Sequence, residues 1–151
     1  MRARLFTSFF LIAFSLKSSA ACYCSYSSLA HEFVFSDFIV SGRVIEIVDS
    51  SYCHYSDTLI EGSKVKVQVY KTYKGTNIPD TIIVDSGKDV LSICFTQGVE
   101  YLIFGSNKKG VYNTDMCTRT ALVDGNKDVM DLKEYNTGTG KGKQTAAKLL
   151  P

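Results

Sequence analysis

Five cysteines are the residues of this chain whose type and spacing could do chemistry. They are Cys22, Cys24, Cys53, Cys94 and Cys117. Cysteine thiols form lasting disulfides in oxidising compartments, and they also bind zinc. The pairs Cys22/Cys24 and Cys53/His54 offer soft ligands, but neither has the C-x2-C or H-x3-H spacing that tetrahedral zinc sites favour. The cysteines therefore predict disulfides, and their odd number leaves one over.

The start of the chain has the pattern of an export signal. A basic segment (residues 1–4) precedes an apolar run (residues 5–16), and small residues up to Ala21 fit a cleavage site. The run is too short to span a bilayer, so no transmembrane helix is expected. Cleavage after Ala21 makes Cys22 the first residue of a secreted, extracellular protein. A lipoprotein signal, with lipidation at Cys22 and anchoring in a bacterial envelope, is the alternative that stays open.

Removal of this signal changes the charge of the chain. The 151 residues include 17 basic and 15 acidic side chains, but three of the basic ones lie in the first 21 residues, which hold no acid. The 14 basic and 15 acidic residues that remain give a net charge of −1. This net charge argues against a groove that binds nucleic acid and against a polybasic patch that binds a membrane. The hydrophobic fraction of 45% is enough for one domain with a real core.

Sequence patterns that would support catalysis are isolated or incomplete. His31 and His54 have no nearby serine or acid pair that would complete a catalytic unit. The basic, glycine-rich stretch 136–143 lacks the spacing of a phosphate loop, because Thr137 stands where a glycine is required and Gln144 follows the lysine. We therefore expect neither enzymatic activity nor a cofactor of the protein's own.

Alternating and β-branched segments predict a mostly β domain. Residues 64–73 alternate strictly, which predicts one buried and one exposed face. The buried face holds Val65, Val67 and Val69, and the exposed face holds Lys64, Lys66 and Gln68. Residues 38–48 predict a long strand that bends at Gly42. Three shorter strands are expected at 81–84, 99–104 and 111–112.

These elements define the predicted fold class: all-β with small flanking helices, built as a five-stranded Greek-key barrel of the OB type. Helical turns are expected after Ser28 and around residues 129–135. The expected organisation is a signal peptide at 1–21, one barrel domain at 22–135 and a flexible C-terminal tail at 136–151.

Five features follow one another between Cys22 and Arg119 in a recognisable order. They are the C-x-C at the start, the strand DFIVSGRV (37–44), the segment KTYKG (71–75), Cys94 followed by GVEYLIFG (98–105), and Cys117. In order and spacing they resemble the tissue inhibitors of metalloproteinases, whose first domain is a netrin-like OB barrel. The cysteine-rich C-terminal subdomain of the animal inhibitors, and one partner of a third bridge, have no counterpart here.

The resemblance implies two disulfides, Cys22–Cys94 and Cys24–Cys117. They would enclose 73 and 94 residues, and loops of that length each contribute about 4 kcal/mol in the chain-entropy model. Cys53 would then be the cysteine left over, open to an intermolecular disulfide, although a monomer is expected.

The resemblance also implies a function, the inhibition of an extracellular zinc metalloprotease. In the family, the α-amino group and carbonyl oxygen of the first cysteine chelate the protease zinc, and the second residue enters the specificity pocket. Here these residues are Cys22 and Tyr23, although animal inhibitors carry a small polar residue at the second position. The remaining protease-binding residues would be Cys24, Ser25, Ser92, Ile93 and Phe95. A netrin-like adhesion or envelope module without inhibitory activity is the alternative, because fold does not determine function.

Overall fold

The computed structural model describes residues 24, 28–51, 53, 61–89 and 91–137. The predicted signal at 1–21 and the tail beyond Thr137 lie outside these ranges. The elements in chain order are α1 (Leu29–Phe35), β1 (Phe38–Asp49), β2 (Glu61–Gly62), β3 (Lys64–Lys74), β4 (Thr81–Asp85), β5 (Phe95–Thr96), β6 (Glu100–Lys108), β7 (Val111–Asn113), β8 (Ala121–Leu122) and α2 (Lys127–Thr137).

Five of these strands close into a barrel. Strand β1 pairs with β3 on one side and with β6 on the other, β3 continues to β4, and β7 joins β4 to β6. All of these pairings are antiparallel except β4 with β7, which run parallel. The mixed five-stranded barrel with two short helices confirms the predicted OB-type fold class.

The bend predicted in β1 lies where the sequence places it. The register with β3 shifts between Ser41 and Gly42, as expected at a bulge. A Cβ atom at position 42 would lie 2.8 Å from Cγ1 of Val67 and against the Gln68 carbonyl. Only glycine fits this close approach of two strands, so β1 can curve sharply enough to pair along both edges.

The alternation of β3 sorts its side chains as predicted. Val65 and Val67 are fully buried, and Val69 packs against the barrel core. On the other face, Lys66 pairs with Glu46 at 3.3 Å and retains 43% exposure, while Gln68 is exposed. The register of β3, on which the barrel depends, is confirmed.

Hydrophobic side chains form two clusters, one inside the barrel and one outside. The inner cluster includes Phe38, Val40 and Ile103. Neighbouring residues of the same strands, such as Ile39, Leu102 and Phe104, point the other way into the outer cluster. Both faces are therefore buried at residues 38–40 of β1 and 101–105 of β6. This explains why the middle of β6 is a continuous apolar run rather than an alternating one.

The outer cluster is covered by the helices. Leu29 and Phe33 of α1, and Val129 and Leu132 of α2, pack into it. Helix α1 begins where Ser28 accepts a hydrogen bond from the His31 amide at 3.2 Å.

The last turn of α1 is capped by a lysine from β3. Nζ of Lys74 donates to the carbonyl oxygens of Phe33 and Val34 at 2.6 and 2.9 Å. Partial burial lowers the pKa of Lys74 from its usual value, partly offset by Asp37. The carbonyls of a helix C-terminus favour a cation at this position.

Helix α2 extends two residues beyond each end of the predicted stretch 129–135. Its earlier start has a local cause, because the Asn126 side chain accepts a hydrogen bond from the Asp128 amide at 2.9 Å. Strands β2, β5 and β8 have only two residues each and were not predicted. Among the described residues, no helix is long and apolar enough to cross a membrane.

Replacing Leu132 by alanine tests the packing of α2 on the barrel. Leu132 is fully buried in the outer cluster, so Leu132→Ala should lower the free energy of unfolding by about 2–5 kcal/mol. Met130 on the same helix is 62% exposed, and Met130→Ala should change it by less than about 0.5 kcal/mol. Urea denaturation measures both; equal effects would contradict the placement of α2.

Candidate functional site

The first described residue of the chain is bonded to a loop of the barrel. Cys24 forms a disulfide with Cys117, and the two Cα atoms lie 5.0 Å apart. Cys117 belongs to the loop 114–120, which follows β7. This bridge is one of the two that the resemblance implies, and it is confirmed.

The second disulfide differs from the expected one. Cys94 bonds to Cys53, with Cα atoms 5.7 Å apart. The predicted Cys22–Cys94 bridge is therefore wrong, and so is the expectation that Cys53 is the cysteine left over. The physical reason is the pairing of β2 with β5, in which Gly62 lies opposite Phe95 and brings the chain after Cys53 beside Cys94. These two-residue strands leave no periodic signal in the sequence.

Parallel pairing brings two loops to the same end of the barrel. Val84 lies opposite Tyr112, and the loops 86–94 and 114–120 follow β4 and β7 in the same direction. The Thr114 amide donates to the Asp85 carbonyl at 3.0 Å, and the Met116 amide donates to the Leu91 carbonyl at 2.8 Å. The loop that holds Cys24 is thus hydrogen-bonded to the segment before Cys94. We call Cys24, residues 91–94 and residues 115–117 the N-terminal edge.

Short-range hydrogen bonds fix the loop 86–94. The Asp89 carboxylate accepts from the Leu91 amide at 2.9 Å, and Oγ of Ser92 accepts from the Asp89 amide at 3.0 Å. Buried Ser86 accepts from the Ile93 amide at 3.1 Å and lies 2.8 Å from the Ile93 carbonyl oxygen, to which its hydroxyl can donate. These hydrogen bonds within the chain itself order the segment.

A threonine cluster holds the other loop. The hydroxyls of Thr114, Thr118 and Thr120 lie 2.8–3.1 Å from one another, and Thr114 donates to the Phe104 carbonyl at 2.7 Å. The Asp115 carboxylate accepts from the Cys117 amide at 2.9 Å. These hydrogen bonds fix the loop that holds Cys117, and the disulfide joins Cys24 to that loop.

An ion pair joins this loop to α2. Arg119 donates through Nε and Nη2 to the two carboxylate oxygens of Asp128, at 2.7 and 2.8 Å. These hydrogen bonds raise the pKa of Arg119 above its usual value, against the opposing effect of burial. A two-point pair that is only partly exposed holds the loop in one orientation.

The structure brings together some of the predicted protease-binding residues. Cys24, Ser92 and Ile93 lie on the N-terminal edge and are partly exposed. The side chain of Phe95 is fully buried and packs edge-to-face on Tyr101, with ring centroids 4.9 Å apart. Phe95 is therefore a core residue, and its prediction as a protease-contacting side chain is wrong.

Three of the predicted site residues, Cys22, Tyr23 and Ser25, lie outside the described residues. Sequence analysis also missed Met116, which is 47% exposed on the edge and stands beside Cys117. Its position next to a bridging cysteine was the only signal in the sequence that could have identified it.

Other candidate groups do not assemble into a site. His31 is exposed on α1, with its ring centroid 4.3 Å from that of Phe35, and His54 lies outside the described ranges. Within those ranges, no group of three or more histidine, cysteine, aspartate or glutamate side chains could hold a metal ion.

Comparisons with known proteins add no assignment: no family model matches the chain, and no curated protein matches it. The fold and the bridges define the class of protein as a small, disulfide-bonded barrel of the OB type. Two disulfides are compatible with an extracellular protein.

Asp49 links the end of β1 to the loop 86–94. Its carboxylate lies 2.7 Å from Nζ of Lys88 and accepts from the Ser51 amide at 2.9 Å. The hydrogen bonds from Lys88 and Ser51 hold the pKa of Asp49 well below its usual range. A carboxylate with a lowered folded-state pKa stabilises the protein above its unfolded pKa of about 4, and this stability is lost as the pH falls through the folded pKa.

The pH dependence of unfolding tests this link. The linkage acts over roughly pH 5 to pH 2. As the pH falls through this range, the free energy of unfolding of Asp49→Asn should decrease less than that of the parent, because the variant lacks the carboxylate that becomes protonated. Lys88→Gln removes the ion-pair partner of Asp49, so the free energy of unfolding of this variant should also depend less on pH than that of the parent. Urea denaturation at each pH measures both, and curves parallel to that of the parent would show that the pair contributes nothing.

Proposed function

We propose that this protein inhibits extracellular zinc metalloproteases through its mature N-terminus. The observation that carries the proposal is the Cys24–Cys117 bridge, together with the hydrogen bond from Met116 to Leu91. These contacts hold the chain two residues after Cys22 on the same edge as Ser92 and Ile93. The resemblance assigns these two segments to the contact with the protease.

The chemistry needs a donor pair that can replace the zinc-bound water of the protease. The α-amino group and carbonyl oxygen of Cys22 form such a bidentate N,O donor once the signal has been removed. Catalytic zinc sites keep one position open for water, and occupying it blocks the attack on substrate. An α-amino group titrates near pH 8, so a good part is neutral at physiological pH and can bind the metal.

The disulfide anchors the start of the chain at Cys24 rather than at Cys22, and this changes the expected free energy of binding to the protease. Because Cys94 bonds to Cys53, neither described bridge holds Cys22 itself. A bridge at Cys24 restrains the backbone two residues before it less than a bridge at Cys22 itself would. We therefore expect weaker inhibition than a bridge at the first cysteine would give.

The Cys53–Cys94 disulfide also favours a second candidate function. With Cys24, Cys53, Cys94 and Cys117 in two bridges, Cys22 is the cysteine left over, and its thiol is available for a thioether bond to lipid. A lipidated and acylated Cys22 could not chelate zinc. The protein would then be an envelope-bound module that presents the N-terminal edge to another partner.

Addition of one alanine before Cys22 tests the chelation. The insertion turns the basic amine into an amide and places an extra residue at the metal, but it touches no core contact. Inhibition of a susceptible secreted zinc protease should weaken by about 2–5 kcal/mol, roughly 30- to several-thousand-fold. Alanine added after Pro151 is the control of equal mass and should change nothing. Tyr23→Gly should give a smaller loss that depends on the protease, since it removes pocket filling alone.

The same assay has outcomes that would count against the proposal. Full inhibition by the alanine-extended protein, with unchanged thermal melting, would exclude chelation by Cys22. If the parent inhibits no zinc protease of a broad panel, the mass of the mature N-terminal peptide tests the second candidate function, the lipidated envelope module. A diacylglyceryl adduct on Cys22 would establish the envelope module, and a free amine would reject it.

A further inference from the structure

A polar cavity of about 210 Å³ lies between α1, the barrel and the loop after β7. One wall belongs to α1 and its C-terminal cap, and another belongs to the loop 114–120. The lining residues that bear on binding are Glu32, Phe35, Ser36, Asn113 and Asp115. A drug-sized ligand needs a pocket of about 300 Å³ or more, so this space fits a single group of side-chain size.

The cavity is lined by a buried hydroxyl that the fold does not use. Ser36 retains 5% exposure, and within the described part of the chain its Oγ has no hydrogen-bond partner. Its backbone is satisfied separately, because the Ser36 amide donates to the Glu32 carbonyl at 2.9 Å. A buried hydroxyl without a partner destabilises the folded protein, so its retention beside a cavity indicates a ligand that bonds to it.

The other polar groups of the walls mainly accept hydrogen bonds. Nδ2 of Asn113 donates to the Val111 carbonyl at 3.0 Å, and its Oδ1 is left to accept. The amides of Cys117 and Thr118 both bond to Oδ1 of Asp115, at 2.9 and 3.1 Å, and Oδ2 keeps its lone pairs. Glu32 adds a second carboxylate. The complementary ligand is therefore a group that only donates.

The charge around the cavity is negative. Its described lining residues include no lysine, arginine or histidine. Arg119 interacts electrostatically with Glu32, but its Nε and Nη2 are bonded to Asp128. The lysine that caps α1 is in turn attracted by Asp37. One guanidinium shared by two carboxylates cannot neutralise both of them, and Asp115 adds a further negative charge. A cation is therefore the favoured ligand.

We propose that this cavity binds a guanidinium group, the end of an arginine side chain or of a free guanidino compound. A guanidinium is planar and permanently charged, and it has five N–H donors and no acceptor. Its donors can bond to Glu32 and Asp115 together, and the Ser36 hydroxyl can accept one more. An ammonium has three donors on one atom and matches acceptors on separate walls less well.

The rim of the cavity suits the apolar stem of such a ligand. Phe35 is 69% exposed, and its neighbour Val34 is 55% exposed. Methylene groups that lead to a buried guanidinium can pack on these side chains. The cavity adjoins the N-terminal edge at Asp115, but its ligand needs no zinc. This inference is therefore independent of the proposed inhibition.

Titration of the ¹⁵N-labelled mature protein with Nα-acetyl-arginine methylamide tests the site. Amide chemical shifts should change at Ser36, Asn113 and Asp115, with a Kd of about 1 mM for a ligand of this size. The citrulline analogue has nearly the same shape without the charge and should bind at least about tenfold more weakly. The lysine analogue should lie between the two. Equal binding of the arginine and citrulline probes, or no change of shift at about 20 mM arginine probe, would overturn the proposal.

Variants of the walls separate binding from folding. Ser36→Ala removes no hydrogen bond of the described structure, so it should melt no lower than the parent and still bind the arginine probe about threefold or more weakly. Asp115→Asn keeps the Oδ1 acceptor that fixes the loop, and it should bind about tenfold more weakly, as should Glu32→Gln.

Glu46→Gln is the matched control, because it removes a carboxylate that pairs with Lys66 away from the cavity. Its affinity for the arginine probe should equal that of the parent. Unchanged binding by Ser36→Ala and Asp115→Asn, or an equal loss in Glu46→Gln, would overturn the site.

Two further probes distinguish the sources of the guanidinium. The blocked peptide Leu-Arg-Leu can pack on Val34 and Phe35, whereas agmatine offers a guanidinium on a short chain alone. Tighter binding of the peptide, lost in Val34→Ser, would support the proposed site as one for an arginine of a partner protein. Tighter binding of agmatine would support it as a site for a free guanidino compound. Shift changes from both probes centred away from Ser36 and Asp115 would overturn it.

Discussion

The pairing of β1 along both of its edges is the constraint on which this barrel depends. Residues 39–49 pair with β3 on one side and residues 38–43 pair with β6 on the other, and this requires a sharp bend. Two glycines permit the close approach. A side chain at Gly42 would collide with Val67, and one at Gly105 would lie 2.7 Å from the ring of Phe38. Once β1 is closed on β6, the outward side chains of both strands need cover, which α1 and α2 supply.

The N-terminal edge follows from the same topology. In a barrel of this order β4 and β7 must run parallel, so the loops after them leave at the same end. Hydrogen bonds within each loop, and the one between Met116 and Leu91, turn two loops into one surface. The Cys24–Cys117 bridge then joins the start of the chain to that surface. Contacts within the chain order this surface, and in the proposed inhibition such prior order lowers the entropy lost on binding.

The parts of this structure that sequence could predict are those with a local physical signal. The alternation around Val67, the bulge at Gly42 and the helical turns after Ser28 are each encoded by neighbouring residues, and each was predicted correctly. The pairing of Cys94 was not, because it depends on β2 and β5, whose two-residue strands form only through tertiary contacts. Phe95 was misplaced for a related reason: the resemblance identified the segment but not which side chains point into the core.

The most direct measurement of the central claim is amide hydrogen exchange of this protein with and without a zinc-loaded metalloprotease. Binding through the N-terminal edge predicts added protection at residues 91–94 and 115–117, and none at Tyr70 and Ile83, which are exposed on β3 and β4. Removal of zinc from the protease should abolish most of this protection, because the Cys22 chelate would be lost. Protection centred on Tyr70 and Ile83, or protection at the edge that is indifferent to zinc, would contradict inhibition by N-terminal chelation.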